Sequence, residues 1–594
     1  MRWSHQSPSH ADSIHPDCRT LSPPQTTLAP ALSVLKTFAE VTATSAVNCT
    51  AEPATETAYT EHTTDFFPTI QITFAMEFQI NRIHQKEQDL PTGGNWVVQK
   101  FGGTSVGKFA VSIAQDIVLA SLSEHRTAVV CSARSTATKS EGTTNRLLRA
   151  ARDVLESDSQ KFREIVEAIR LDHVKAGQDA ISGEPILDEF VQAVNAECFQ
   201  LLKILESAQF LKAVTNQTND MIISVGEKLS CMYMTALLKD RGANAVYVDL
   251  SDVITFSLVA KGLDDAFYRN LALAIAAKVN EHGDDAVPVI TGYFGAVPGG
   301  LLENIGRGYT DLCAALAAVG LKAKELQIWK EVDGIFTADP RKVPTARLLD
   351  AVTPSEAAEL TFYGSEVIHP FTMDQVIRAS IPIRIKNVMN PRNAGTVIYP
   401  DVDNGAIRMK TGLFRDRSIS NLSQHDTPRR PTAVTIKRSI TVLNVHSKKR
   451  TRAHGFLMSI FSILDKHGLS VDLISSSEVH VSMALHSEIS LLSGHSEEEL
   501  RIEDEALKGA VEDLGIWGDV DLVPNMAIIS LVGRQLRSMV GISGRFFSTL
   551  GEQGINIEMI SQGASEINIS CVIEEREANR ALNVVHTNLF TFLE

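Results

Sequence analysis

Short apolar runs alternate with longer helical stretches between Trp96 and about residue 400. Stretches such as residues 112–124 and 229–241 have the spacing of apolar residues that is typical of helices. The runs between the helical stretches predict strands at residues 97–101, 127–132, 221–225, 245–249, 287–293, 326–330 and 383–387. This alternation predicts an α/β domain over residues 95–400, with a mostly parallel sheet covered by helices on both faces.

The segments on either side of this domain have a different character. Residues 1–94 are rich in Ser, Thr, Pro, Ala and His and lack periodicity, which predicts a disordered N-terminal extension. Acidic residues such as Asp12 and Asp17 argue against a transit peptide. Met76 is an alternative start of translation, in which case residues 1–75 would be absent from the native protein. Residues 401–432 are polar and irregular, which predicts a linker.

The C-terminal part contains an internal repeat. Residues 455–475 and 544–561 each read as a glycine-bearing loop, an amphipathic helix and a strand. The repeat predicts two small domains over residues 433–515 and 516–594. Two copies of this size cannot each bury both faces of a sheet, so we expect them to pack on each other or on a partner chain.

The composition narrows the class of protein further. The chain has 594 residues and a net charge of -15, which argues against a nucleic-acid-binding surface. Its 7 cysteines are scattered and form no C-x-x-C pair, which favours a reducing, cytoplasmic location. No apolar run approaches the roughly 18 residues needed to cross a bilayer, so we expect no membrane segment.

A lysine and two glycines follow the first predicted strand and precede a helix. Lys100 is followed by Phe101, Gly102, Gly103, Thr104 and Ser105. The glycines let the backbone approach a ligand closely, and a helix N-terminus favours negative charge. Lys100 adds a compact cation that suits phosphate. The spacing differs from that of a P-loop.

Five further positions carry candidate chemistry. Ser132 ends the second predicted strand and Thr144 follows on the next loop, where ordinary turn chemistry is an equal alternative. Glu227 follows Gly226 and suits a substrate ammonium, although a carboxylate at a helix start also balances the helix dipole. Arg307 lies between two glycines and can grip a carboxylate, and Asp311 opens the next apolar helix.

The segment from Trp329 to Arg341 joins a predicted strand to a charged turn. Lys330 and Arg341 have the charge to flank a polyphosphate, and Phe336 suits an adenine pocket. The alternative is a solvated loop. His369 before Pro370 is more often structural than catalytic, so we assign it no role as a base.

Taken together, these motifs resemble the aspartate kinases of the amino acid kinase superfamily. The resemblance covers the chain from about Asn95 to its end. The runs at residues 329–341 and 364–370 resemble the fungal branch, and many bacterial relatives differ at Lys330, Glu331 and Glu366. The C-terminal repeat resembles tandem ACT domains, which are ferredoxin-like and sense amino acids.

The resemblance implies that ATP, carrying Mg²⁺, phosphorylates the β-carboxylate of L-aspartate to 4-phospho-L-aspartate, the first step toward homoserine, threonine and methionine. It implies that Lys100 and Asp311 are catalytic, with no metal-ligand cluster in the protein itself. Aspartate would be held by Ser132, Thr144, Glu227 and Arg307, and the nucleotide by Gly102, Gly103, Thr104, Ser105, Lys330, Phe336 and Arg341.

The resemblance also implies feedback inhibition through the repeat and a homo-oligomer, a dimer or larger. Threonine is the expected effector, and lysine is the alternative. The implied effector pocket comprises Gly455, Phe456, Leu457, Ser470, Val471, Asp472, Ser477 and Glu478.

Two other functions compete with this one. One is a different kinase of the superfamily, acting on glutamate or acetylglutamate. The other is an inactive amino-acid sensor that keeps the kinase fold as a scaffold, against which the combination of Lys100, Glu227, Arg307 and Asp311 argues.

Overall fold

Two sheets organise the part of the chain that the structure describes. This computed structural model describes residues 95–135, 141–156, 159–254, 263–297, 299–301, 305, 308–364, 368–400, 430–448, 455–477, 479–486, 492–493, 501–562 and 567–591. The predicted extension over residues 1–94 and most of the predicted linker, residues 401–429, lie outside these ranges.

The first sheet has eight strands in the order β3-β4-β2-β1-β5-β7-β8-β6, and the pairing is parallel throughout except between β7 and β8. Consecutive residues are buried along the central strands, which requires cover on both faces. The prediction of a mostly parallel, doubly covered sheet is therefore confirmed. The strands are β1 Trp96–Phe101, β2 Arg126–Cys131, β3 Ala245–Val248, β4 Val287–Thr291, β5 Glu325–Lys330, β6 Ala351–Val352, β7 Ile383–Asn387 and β8 Thr396–Ile398.

Helices occupy the connections between these strands. A π-helical turn at Ile113–Val118 joins the first two helices. The helices are α1 Gly103–Ser112, α2 Leu119–Leu122, α3 Thr143–Asp153, α4 Lys161–Ala180, α5 Glu184–Leu211, α6 Asn216–Asp240, α7 Asp265–Asn280, α8 Tyr309–Gly320, α9 Pro354–Phe362 and α10 Pro370–Arg378.

The strand predicted at residues 221–225 is wrong, because these residues lie inside helix α6. The helix is N-capped by Thr215 and is buried on nearly all sides, so its sequence lacks the polar stripe that reveals an amphipathic helix. A short apolar run of this kind cannot be distinguished from a buried strand by periodicity alone. Glu227 consequently lies within a helix and not at its start.

Two helical segments, Gly103–Leu122 and Asn216–Asp240, are long and apolar enough to cross a membrane by length and composition. The expectation that no segment reaches this length was therefore too strong. In helix α6, 83% of the apolar window is buried within the protein, as in the core helix of a folded domain. In the first segment 39% of the window is buried, including Ile113, Ala114, Ile117 and Val118.

The second sheet is antiparallel and has six strands in the order β10-β11-β9-β14-β16-β15. A short two-stranded sheet, β12 with β13, lies outside it. The elements are β9 Ala433–Ser447, α11 Phe456–Lys466, β10 Val471–Ser476, β11 His480–His486, β12 Leu492–Ser493, β13 Arg501–Ile502, α12 Glu505–Leu514, β14 Gly518–Val532, α13 Ile542–Glu552, β15 Met559–Ser561, β16 Asn568–Glu574 and α14 Ala578–His586.

Strands β9 and β14 each contribute to both repeats. The end of β9 pairs with the start of β14, as in Val445 opposite Val520, and its start pairs with the end of β14, as in Val434 opposite Leu531. Each strand contains one non-glycine residue with a left-handed backbone, Ser439 or Asn525, both with φ of 57°. The repeats therefore pack on each other by sharing two strands, and a boundary between residues 515 and 516 does not separate them.

Candidate active site

The turn between β1 and α1 packs closely against the residues that follow β2. A Cβ atom on Gly103 would lie 2.1 Å from the carbonyl oxygen of Ala133, so only glycine fits there. A Cβ atom on Gly102 would meet nothing within 4 Å. The amide of Ser135 donates to the carbonyl oxygen of Gly103 at 2.9 Å. The two glycines thus differ: Gly103 permits close packing, and Gly102 leaves open space beside the start of α1.

Lys100 and Asp311 form an ion pair at this end of the sheet. Lys100 Nζ lies 2.7 Å from Asp311 Oδ1, and the two side chains are 12% and 19% exposed. Lys100 comes from β1 and Asp311 from the first turn of α8. The carboxylate thereby fixes a cation beside the glycine turn while leaving it partly accessible.

A cavity of about 180 Å³ opens beside the glycine turn. It lies where β1 and β2 end and where α1, α3 and α8 begin, the usual position of ligands in open α/β sheets. The cavity brings together five predicted residues that are far apart in sequence. It is lined by Gly103, Thr104, Ser132, Ala133, Ser135, Gly142, Thr143, Thr144, Asn145, Glu227, Tyr309 and Thr310.

Glu227 is a buried carboxylate on the wall of this cavity. It is 1% exposed, and its Oε1 accepts a hydrogen bond from Thr310 Oγ1 at 2.5 Å. Its Oε2 has no hydrogen-bond partner within the described part of the chain. Burial raises the pKa of Glu227 to about 7, although hydrogen bonds from Thr310 and Tyr309 and the charge of Lys100 oppose the shift. An unfilled carboxylate acceptor in a cavity suits a cationic ligand group.

Ser105 faces away from this cavity. Its side chain is fully buried, and its hydroxyl donates to Glu331 Oε1 at 2.7 Å. Glu331 follows the end of β5, and Lys330 is the last residue of that strand. Ser105 therefore joins the glycine turn to β5, and its hydroxyl is already used within the protein.

Phe336 and Arg341 do not line this cavity. Phe336 forms an isolated β-bridge with Leu348. The side chain of Arg341 is 85% exposed, and its Nε lies 3.1 Å from Asp339 Oδ1. Their contact with a nucleotide stays a prediction.

His369 caps helix α10, since its Nδ1 accepts a hydrogen bond from the amide of Phe371 at 3.3 Å. A capping role agrees with our decision not to treat His369 as a base. Arg307 lies outside the described residues.

The predicted effector residues lie around helix α11 and strand β10. Gly455 precedes α11 with φ of 85°, Phe456 is buried, and Leu457 is 43% exposed. The carboxylate of Asp472 is already paired, with Oδ2 lying 2.7 Å from Lys437 Nζ. Ser470 directly precedes β10, Val471 begins it, and Ser477 follows its end. Glu478 lies outside the described residues.

Sequence reasoning did not select seven residues of the cavity wall: Ala133, Ser135, Gly142, Thr143, Asn145, Tyr309 and Thr310. Asn145 follows Thr144 in the same turn of α3. Tyr309 and Thr310 lie between Arg307 and Asp311, two residues that the sequence did single out. Their position within a predicted motif was the available signal, but only the fold shows that Thr310 contacts Glu227. No group of three or more His, Cys, Asp or Glu residues in the described ranges is placed to hold a metal ion.

Comparison with known proteins gives the family. The amino acid kinase family matches residues 95–387, and the ACT domain family matches residues 529–589. An aspartokinase of Candida albicans is 53% identical over 508 residues, covering 84% of this chain and 90% of the relative. An aspartokinase of Saccharomyces cerevisiae is 51% identical over 512 residues, covering 85% and 94%.

Solved structures agree with this result. E. coli aspartokinase III in complex with aspartate and ADP (R-state) superposes with a TM-score of 0.62 at 28% identity, covering 83% of this chain and 99% of that one. The same enzyme in complex with lysine and aspartate (T-state) gives a TM-score of 0.62 at 27% identity, covering 84% and 100%. The resemblance to fungal aspartate kinases is therefore confirmed, and this chain belongs to the aspartokinase family.

Proposed function

We propose that this chain uses ATP to phosphorylate the β-carboxylate of L-aspartate, producing 4-phospho-L-aspartate and ADP. The observation that carries the proposal is the cavity in which the buried carboxylate of Glu227 lies in the same wall as the glycine turn that follows Lys100. The ammonium group of an amino acid can bind the carboxylate of Glu227, and a carboxylate of the same molecule can approach the glycine turn. The complex of E. coli aspartokinase III with aspartate and ADP supports the same pair of ligands.

In this proposal Glu227 receives the substrate ammonium and Arg307 the α-carboxylate. Ser132 and Thr144 line the space between the two groups. The β-carboxylate is then directed toward the glycine turn, where amide groups at the start of α1 stabilise negative charge. A carboxylate nucleophile is ionised at neutral pH, so the reaction needs no base from the protein.

Lys100 is the proposed partner of the transferring phosphoryl group. Its ion pair with Asp311 keeps the ammonium in place before the nucleotide arrives. Phosphoryl transfer depends mainly on positioning and on neutralising charge, which is what a fixed lysine and a helix N-terminus supply. Mg²⁺ would arrive on the phosphates of ATP, and Lys330, Phe336 and Arg341 remain our proposed contacts to the nucleotide.

Release of ADP tests this function. The purified chain is incubated with Mg-ATP and separately with aspartate, glutamate and acetylglutamate, and ADP is followed by a coupled assay. We expect turnover with aspartate and none with glutamate or acetylglutamate. Turnover with glutamate or acetylglutamate but not aspartate would identify a different kinase of the superfamily, and aspartate binding without turnover would identify a sensor.

We further propose that threonine inhibits the enzyme through the C-terminal repeats. An effector ammonium would pair with Asp472 or Glu478, and amide groups near Gly455 would take its carboxylate. That E. coli aspartokinase III forms a complex with lysine and aspartate in a T-state supports an amino acid as effector. Inhibition requires that the effector bind the inactive arrangement more tightly than the active one.

Inhibition is tested on the full chain with threonine and lysine in parallel. We expect threonine to inhibit, and Asp472→Asn to raise the inhibitory concentration. Lysine inhibition without threonine inhibition would reassign the effector, and an unchanged response of the variant would exclude Asp472.

The remaining proposals concern the setting of the enzyme. The product would enter the route to homoserine, threonine and methionine in the cytoplasm. Leu457, Met458 and Phe461 on α11 are exposed at 43%, 71% and 42%, which supports association through the repeats. Light scattering on the purified chain is expected to give a dimer or larger, and a monomer at micromolar concentration would contradict this.

A further inference from the structure

Two arginines flank the segment that supplies much of the cavity wall. Arg134 follows Ser132 by two residues, and Arg146 follows Thr144 by two residues. Both side chains meet one carboxylate on helix α4. Asp172 Oδ2 lies 2.8 Å from Arg146 Nη2 and 3.2 Å from Arg134 Nη1. We call these three residues the Asp172 clamp.

The two arginine side chains of the clamp are largely shielded from solvent. The side chains of Arg134 and Arg146 are only 10% and 14% exposed, and Asp172 is 30% exposed. Burial opposes ionisation of Asp172, but the hydrogen bond from Arg146 and the charge of Arg134 outweigh it and lower the pKa of this carboxyl. The neighbouring His173 is buried, which lowers its pKa to about 4 and leaves it neutral near pH 7. Asp172 therefore provides the negative charge for both arginines.

Hydrogen bonds from the backbone of Arg134 link it to Thr143 in the cavity wall and to the helix that contains Glu227. The amide of Arg134 donates to Ser230 Oγ at 2.8 Å, and Ser230 Oγ donates in turn to the carbonyl oxygen of Gly226 at 2.9 Å. The carbonyl oxygen of Arg134 accepts from Thr143 Oγ1 at 2.7 Å. Moving Arg134 would thus move Thr143 in the wall and disturb the helix at the residue before Glu227.

We propose that Asp172 is a positioning residue for the amino-acid substrate, because its carboxylate binds Arg134, two residues after Ser132, and Arg146, two residues after Thr144. Nothing in the sequence motifs points to Asp172. It acts through the two arginines and does not line the cavity itself. The inference rests on the proposed function, since it assigns the amino-acid side of that site.

The clamp acts on one substrate more than on the other. Ser132 and Thr144 are proposed contacts of aspartate, whereas the Lys100–Asp311 ion pair contains no residue of the clamp. A backbone link to the glycine turn runs through Ser135, whose amide donates to the carbonyl oxygen of Gly103. Loss of the Asp172 charge removes the partner that holds two buried arginine side chains in place, so the wall residues next to them are expected to shift. Weaker aspartate binding is the expected consequence, with a smaller effect on nucleotide binding.

The test compares Asp172→Asn with the wild-type full chain. We expect KM for aspartate to rise about tenfold or more, while kcat and KM for ATP stay within about twofold. Asp172→Glu, which keeps the charge, is expected to recover most of the loss. Glu167→Gln is the matched control, because it removes an ion pair with Arg170 (2.6 Å) on the exposed face of the same helix. It should leave every constant unchanged.

Two results would overturn the inference. One is a KM for aspartate in Asp172→Asn within twofold of wild type, and the other is an equal rise in KM for aspartate and for ATP. If Asp172→Asn does not fold, Arg146→Gln removes one arm of the clamp and is judged by the same split between the two KM values. A wild-type chain without aspartate turnover would refute the proposed function, whereas an active wild type with an unchanged variant would refute the clamp alone.

Discussion

The raised pKa of Glu227 makes aspartate binding sensitive to pH near neutrality. An ordinary glutamate with a pKa of 4.5 is almost fully ionised at pH 6, whereas Glu227, with a pKa of about 7, is mostly protonated there. Only the ionised form accepts the substrate ammonium without competition from its own proton. Between pH 8 and pH 6 we therefore expect kcat/KM for aspartate to fall about tenfold, from the change in the ionised fraction.

The same shift affects stability without substrate. Because the pKa of Glu227 is higher in the folded protein than in the unfolded chain, the folded protein binds more protons between pH 4.5 and about 7. Stability is therefore lost as pH rises through this window, by up to about 3 kcal/mol. Glu227→Gln has no such charge to bury, so its melting temperature relative to wild type should be higher at pH 8 than at pH 5.

The assay is the initial rate over pH 5.5 to 8.5 at saturating Mg-ATP with varied aspartate. The matching profile of kcat/KM for ATP at saturating aspartate corrects for titration of ATP itself. Glu227→Gln should lose most of the activity. After the same correction, its remaining kcat/KM for aspartate should not change between pH 6 and pH 8. A wild-type profile for aspartate that stays flat to pH 6 after this correction would refute the reasoning.

Substitutions at Gly103, Lys100 and His586 test three separate parts of the protein, and Gly102→Ala is the control for the first. Gly103→Ala places a Cβ 2.1 Å from the carbonyl oxygen of Ala133 and should destabilise the fold by about 1–3 kcal/mol, whereas Gly102→Ala meets nothing within 4 Å; equal melting temperatures would contradict this. Lys100→Ala should lower kcat by about 10³-fold at saturating substrates, and a near-normal kcat would remove Lys100 from the chemistry. His586 contacts the hydroxyls of Thr337 (2.8 Å) and Thr345 (3.2 Å), and Thr337 directly follows Phe336, a proposed contact of the nucleotide. His586→Ala should destabilise the chain by about 1–3 kcal/mol and raise KM for ATP more than KM for aspartate; an unchanged unfolding free energy would contradict the first expectation and an equal rise of both KM values the second.

Six of the eight strands of the first sheet were predictable because they are short apolar runs between helical stretches, whereas β6 and β8 have only two and three residues and were not predicted. Residues 221–225 of helix α6 were mistaken for a strand, because this part of the helix is buried nearly all round and shows no polar face, whereas residues 229–241 were predicted to be helical. The shared strands of the repeats were also hidden, since an internal repeat records two similar units and not which strand pairs with which. The long strand β14 begins at Gly518, just after the predicted boundary, and pairs along its length with β9, the first strand of the preceding unit.

The candidate site was partly visible for a related reason. Glycine turns and charged residues at strand ends are local signals, and five residues selected in that way line one cavity. Thr310 and Asp172 depend on contacts between distant segments, since Thr310 meets Glu227 and Asp172 meets Arg134 only in the folded chain. Arg341 illustrates the opposite case, because its charge suggested a ligand while its side chain pairs with the nearby Asp339.

One measurement tests the central proposal most directly. The purified full chain is given Mg-ATP with and without L-aspartate, ADP is quantified, and hydroxylamine is added to trap an acyl phosphate. The account predicts ADP formation that depends on aspartate, with an equal amount of trapped hydroxamate, and both should be lost in Lys100→Ala. The absence of aspartate-dependent ADP from the folded wild-type chain would contradict it.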